Sequence, residues 1–216
     1  MSSFRSSGFG NITPMVKNLL IANVAVFILQ AISPTLNEII TRYGALYFPG
    51  SRNFIAYQFF TYMFLHANLF HILFNMIGLW MFGSAIEMVW GWKRFINYYL
   101  ACGLGGAVLH TLVNYIQFQD YIHITANRDS IGYMVGASGA IYGLLVAYAY
   151  LFPNNRLMMI FLPIPIKAKY FVPLLITIDL IAGLSGGSPI AHFAHIGGAI
   201  VGLIFCFGGR LRRWKK

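Results

Sequence analysis

Residues 69–90 read LFHILFNMIGLWMFGSAIEMVW, a run of 22 positions with one charged side chain, Glu87. A helix that crosses the hydrocarbon core of a bilayer needs about 20 mostly apolar residues. This stretch therefore spans a membrane by itself. His71 and Asn75 stand four positions apart, so they share one helix face. Polar side chains in hydrocarbon are costly and mark candidate sites by default. The stretch thus predicts a membrane helix that carries part of a polar site.

The rest of the chain agrees. Of its 216 residues 58% are apolar and 9% charged, with a mean hydropathy of +0.68. A soluble domain carries roughly 25% charged residues. Six spans are expected: Asn18–Ile32, Leu69–Trp90, Phe95–Phe118, Ser138–Phe152, Phe171–Leu184 and Ile190–Phe207. The expected fold is an all-α integral membrane protein, a bundle of six transmembrane helices. Its expected divisions are a short cytoplasmic N-terminus (1–16), a membrane domain (17–209) and a basic cytoplasmic tail (210–216). Cys102 and Cys206 fall inside apolar runs and read as small packing residues.

Six spans put both termini on one side. With the termini inside, the inner segments hold Arg5, Lys17, Lys93, Arg94, Arg156, Lys167, Lys169, Arg210, Arg212, Arg213, Lys215 and Lys216, which is 12 of the 15 Lys and Arg. The outer segments hold Arg42, Arg52 and Arg128. That split follows the positive-inside rule. The net charge of +10 then reads as contact with anionic lipid, not as a nucleic-acid surface. The short, weakly basic leader predicts no transit peptide, so a bacterial plasma membrane is the expected home.

Two segments depart from plain spans. Residues 33–65 are too polar to cross yet rich in aromatics (Tyr43, Tyr47, Phe48, Phe54, Tyr57, Phe59, Phe60), which predicts an outer loop lying in the interface. Ile131 to Gly136 is apolar and glycine-flanked, which predicts a re-entrant approach to a helix starting below the surface at Ser138. The pairs Gly139/Gly143 and Gly198/Gly202 are small-xxx-small spacings that let helices pack closely.

Under this topology the second, fourth and sixth spans all enter from outside, and His66, His71, Asn75, Ser138 and His195 gather near their outer ends. A lone serine in a membrane helix is usually a packing residue; the agreement in depth is what argues for chemistry. A serine hydroxyl needs an adjacent base to become a nucleophile. A histidine can take that proton and return it to a leaving amine. A tetrahedral oxyanion needs fixed donors, and His71, Asn75 and the Ser138 N–H at a helix start can supply them. His110 and His123 read as surface or interface residues, and His192 as interfacial. Asp179 reads as a buried hydrogen-bonded group in preference to a third member behind His195. Position 140 is Ala, so Gly136-Ala137-Ser138-Gly139-Ala140 is not the soluble-hydrolase G-x-S-x-G elbow. No H-E-x-x-H occurs, so zinc proteolysis is unsupported, and neither a metal nor a cofactor is expected.

These residues resemble the rhomboid intramembrane serine proteases. His66-Ala-Asn-Leu-Phe-His71-Ile-Leu-Phe-Asn75 is similar to the family's motif of two histidines and an asparagine. Gly136-Ala-Ser138-Gly139 resembles its G-x-S-G nucleophile motif. Ala194-His195-Ile-Gly-Gly198-Ala-Ile-Val-Gly202 resembles its A-H-x-x-G-x-x-x-G motif. Gly83, Glu87 and Gly91 also fit the end of the family's second helix. The resemblance implies the minimal six-span bacterial form. It also implies a Ser138/His195 dyad, an oxyanion hole of His71, Asn75 and the Ser138 backbone, and Tyr142 stacked on the catalytic histidine. Gly136 and Gly139 flank the nucleophile, and His66 takes a supporting place. A dyad needs no aspartate. The implied partners are the lipid bilayer and single-span membrane proteins, cut near the outer face. One departure is visible: Gln58-Phe59-Phe60-Thr61 stands where the family often has a Trp-Arg pair. Glycines Gly183, Gly186 and Gly187 suggest the fifth span as a gate. The alternatives are an inactive relative that binds membrane proteins without cutting them, and a six-span transporter using the same cluster. Oligomeric state is not encoded in any readable feature.

Overall fold

The computed structural model describes residues 12–125, 128–159, 162–185 and 191–208. Arg5, Gly186, Gly187, Pro189 and the basic tail from Arg210 lie outside them, as do the side chain of His123 and the ends of the expected N- and C-terminal divisions.

Helix α1 (Pro14–Ile32) opens with proline at its first position, where the missing N–H costs nothing. Ser33 ends it and caps α2 (Pro34–Gly44), its Oγ accepting from the Leu36 N–H at 3.1 Å. The first loop continues through β1 (Leu46–Tyr47), the short α3 (Gln58–Thr61) and a 3₁₀ turn, Tyr62–Phe64. Next comes one rod, Leu69–Trp90. It consists of α4 (Leu69–Gly78), a π-helical turn (Leu79–Gly83) and α5 (Ser84–Trp90). Gly91, at φ +75°, takes the left-handed conformation that stops this rod. Then follow α6 (Trp92–Thr125), β2 (Tyr133–Met134) and α7 (Ser138–Leu151). The last described elements are β3 (Arg156–Met159), β4 (Leu162–Lys167), α8 (Ala168–Ser185) and α9 (His192–Phe207).

Among the described residues four helices are long and apolar enough to cross a membrane: α1, the α4–α5 rod, the Trp92–Phe118 part of α6, and α8. The other two expected spans are shorter apolar helices, 14 residues in α7 and 16 in α9. At 1.5 Å per residue they rise about 21 Å and about 24 Å, less than the roughly 30 Å core. The expectation of an all-α chain needs a correction. Two short antiparallel ladders are present, β1 with β2 (Leu46↔Met134) and β3 with β4 (Leu157↔Ile166). Pro163 and Pro165 keep β4 from being helical, and a two-stranded ribbon tolerates prolines because both strands are edges.

The core is the contact of α6, α7 and α9. Eight residues of α7 are buried, on every side of the helix, as expected of a helix at the centre of a bundle. Glycine makes the contact this close. A Cβ on Gly198 would stand 1.8 Å from the Gly139 carbonyl oxygen, and one on Gly143 would stand 2.4 Å from Cys102 Sγ. Apolar side chains such as Ile28 on α1, Val108 on α6 and Ile181 on α8 point outward, as they do toward lipid.

Two polar staples hold the periphery. The Glu87 carboxylate accepts from the N–H groups of Met15 (3.0 Å) and Val16 (2.9 Å) and from the Thr13 hydroxyl, capping α1 from the far end of α5. Gln58, fully buried, ties the first loop to itself. Its Oε1 accepts from Tyr47 N (3.3 Å) and Ile55 N (3.2 Å), and its Nε2 donates to the Asn53 and Arg42 carbonyls (2.9 and 3.2 Å).

Candidate active site

Ser138 is the first residue of α7, so its N–H is one of the helix-start donors with no partner within the helix. The approach is fixed by Gly136, which has φ +122° and donates its N–H to the Tyr62 carbonyl at 2.9 Å. The adjacent β1–β2 ladder holds the same segment against the first loop. A side chain at Gly136 is strained by that φ and obstructed as well, because its Cβ would lie 2.6 Å from His71 Nε2.

The close contact of α7 and α9 brings His195 Nε2 to 2.7 Å from Ser138 Oγ. Tyr142, one turn along α7, lies flat on the His195 imidazole at 4.3 Å between centroids. His195 is buried, while Ser138 keeps partial exposure. The residues expected to work together, Ser138, Tyr142 and His195, are therefore adjacent. α9 starts at His192, so His195 lies in its first turn.

His71 and Asn75 lie on the α4 face toward the serine side. The Ala67 N–H donates to His71 Nδ1 at 3.3 Å, which leaves the ring proton on Nε2, the nitrogen over Gly136. Asn75 is buried, and its Nδ2 donates one hydrogen to the His71 carbonyl at 2.7 Å and retains a second. His66 packs edge-on to His71 at 5.0 Å. It precedes α4 in the loop, where burial pushes its imidazole pKa down to about 3 and keeps it neutral. His110, half-buried on α6, pairs with Asn114 at 3.1 Å.

One expectation is corrected: His192 is buried, not interfacial, whereas Asp179 is the buried hydrogen-bonded group expected. Asp179 Oδ2 accepts from His195 Nδ1 at 2.9 Å, and Oδ1 accepts from His192 Nδ1 at 2.8 Å. Spacing along one helix gives no hint of this, because Asp179 is on α8 and both histidines are on α9. The usable signal was a carboxylate inside an apolar span, which demands partners. Donor atoms of Asp179, His192 and His195 lie within 4.8 Å of one another, a geometry that suits a metal ion. Here the carboxylate bridges the two Nδ1 atoms, while the buried His192 Nε2 has no hydrogen-bond partner among the described residues.

Comparison with known proteins identifies the family. The Rhomboid domain matches residues 53–212, most of the chain. The chain belongs to the rhomboid family. The rhomboid chain is 32% identical over 202 residues to the bovine presenilin-associated rhomboid-like protein, mitochondrial, covering 93% of this chain and 50% of the relative. It is 28% identical over 198 residues to RHOMBOID-like protein 12, mitochondrial, of Arabidopsis thaliana (88% and 56%). It is 28% identical over 145 residues to Rhomboid protein 1, mitochondrial, of Saccharomyces cerevisiae (66% and 38%). The chain spans about half the length of the curated relatives it matches. As a rhomboid it is a multi-pass membrane protein, and its membrane helices are those of the bundle above.

Proposed function

We propose that this rhomboid is an intramembrane serine endopeptidase acting through Ser138 and His195. The observation that carries the reading is the 2.7 Å contact of His195 Nε2 with Ser138 Oγ at the start of α7. Membership in a family whose members are typically serine proteases supports it.

In the proposed reaction Ser138 Oγ attacks the scissile carbonyl carbon while its proton passes to His195 Nε2. The carbonyl oxygen gathers negative charge. It is met by the His71 Nε2–H, the free Asn75 amide hydrogen and the Ser138 backbone N–H, with the positive end of the α7 dipole behind them. Collapse breaks the C–N bond, and His195 gives its proton to the departing amine. A water then loses a proton to His195 and attacks the acyl carbon. The proton returns to Ser138, and the new carboxyl end leaves. Partial exposure of Ser138 and His71 supports entry of that water.

The substrates of this reading are single-span membrane proteins whose helix unwinds near the outer surface. The chain crosses six times, α7 and α9 being the shorter crossings. Both termini lie on the basic, cytoplasmic side of a cell membrane, and the site opens to the opposite face. The first loop lies in the interface, supported by the exposed rings of Tyr43, Tyr57 and Phe60. The test is covalent labelling with a fluorophosphonate in proteoliposomes. The adduct maps to Ser138 under this reading; an adduct on another residue, or none, counts against it.

A further inference from the structure

Asp179 and Glu87 are the buried carboxylates among the described residues. Glu87 is accounted for as the cap of α1. Asp179 instead joins α8 to α9. α8 buries only Ala168, Val172 and Asp179, and it presents most of its surface outward. A carboxylate inside such a peripheral helix is costly unless paired. Both of its oxygens are engaged on the same neighbour, α9, one on each of two histidines. Gly183, one turn further along α8, permits the approach: a Cβ there would stand 2.9 Å from His192 Cβ.

We propose that Asp179 is the positioning residue of this site: it holds His195 in the tautomer that accepts the Ser138 proton and, through His192, ties that state to the packing of α8 against α9. The inference rests on the Ser138/His195 reading. An ionised carboxylate only accepts hydrogen bonds, so both Nδ1 atoms facing it carry the protons. His195 Nε2 is then left as a lone pair, and Ser138 Oγ at 2.7 Å is oriented to donate to it. When Nε2 gains the serine proton, the carboxylate stabilises the imidazolium without itself being protonated. His192 holds the second oxygen, which stops the carboxylate from rotating away. The arrangement is mechanical as well as electrostatic. A displacement of α8 by about 1 Å would stretch both contacts past hydrogen-bond range.

The experiment uses the full chain in proteoliposomes with a fluorogenic single-span substrate, comparing Asp179→Asn with the unaltered chain and Ser138→Ala. Asparagine keeps the shape and presents an N–H where an acceptor is needed. The expected result is a kcat lower by about 10²–10⁴-fold with KM within about threefold, and Ser138 labelling slowed to match. Asp179→Asn turning over within about threefold of the unaltered chain, while Ser138→Ala is dead, overturns the inference and leaves the dyad standing. A changed KM at unchanged kcat overturns it too. Ser138→Ala that still cuts overturns the dyad reading instead. If Asp179→Asn does not fold, ¹⁵N-histidine spectra of the unaltered chain decide. Two protected, low-field imidazole N–H protons are expected, and their absence overturns the inference.

Discussion

Tyr142 and His195 lie face to face, their ring centroids 4.3 Å apart and their planes 9° from parallel, across the seam of α7 and α9. With Asp179 on one nitrogen and Ser138 on the other, the imidazole is held in its plane and against its face. An aromatic stack is worth about 0.5–1.5 kcal/mol beyond burial. Tyr142→Leu is expected to lower kcat by about 10-fold, and Tyr142→Phe, which keeps the stack, by much less. Steady-state cleavage by the two variants side by side checks this; equal losses would show that the hydroxyl matters and the ring does not.

Gly198→Ala is expected to cost more than a catalytic variant does. The added carbon would fall 1.8 Å from the Gly139 carbonyl oxygen, backbone that cannot step aside without moving α7. Overpacking of a tight core costs about 1–3 kcal/mol. Here it also parts Ser138 from His195. Thermal unfolding in detergent and Ser138 labelling should both fall. Unchanged stability with unchanged labelling would mean that α7 and α9 do not pack this closely.

Gln58 anchors the first loop with both ends of its amide, so Gln58→Leu strips partners from part-buried backbone groups at Tyr47, Ile55 and Asn53. Each such group left unsatisfied costs about 1–3 kcal/mol. The variant is expected to expose the loop to limited proteolysis between residues 45 and 60 while the helices stay protected. A digestion pattern identical to that of the unaltered chain would contradict the role assigned to Gln58.

Glu87→Gln removes a charge that accepts three hydrogen bonds at the start of α1. Bonds to a charged group contribute about 1.5–3 kcal/mol each before screening. The expected outcome is a lower unfolding temperature with kcat preserved per folded molecule, since Glu87 is near the opposite end of the rod from His71. Loss of kcat without loss of stability would place Glu87 in the chemistry instead.

The sequence was most legible where apolar length and motif spacing carry the information. Residues 69–90 form one continuous rod, and Ser138 begins a helix. The glycine pairs 139/143 and 198/202 lie in the close contact they predicted. Less visible was whatever depends on side chains meeting from different helices. Asp179 and His192 are thirteen positions apart with a helix break between them, and no periodicity links them. Gln58 reads as an ordinary loop residue until its hydrogen-bond partners are known. The β3–β4 ribbon was hidden because alternating prolines and apolar residues resemble a plain connector. The shortness of α7 and α9 was half legible: Pro153 marked the end of α7, but the start of α9 at His192 carried no strong capping signal.

The most direct measurement is cleavage of a labelled single-span substrate in proteoliposomes by the unaltered chain, Ser138→Ala and His195→Ala, with folding of each checked by thermal unfolding. The account predicts cleavage by the first and none by the two folded variants. Cleavage that persists in either variant would contradict it, because Ser138 and His195 would then not carry the reaction.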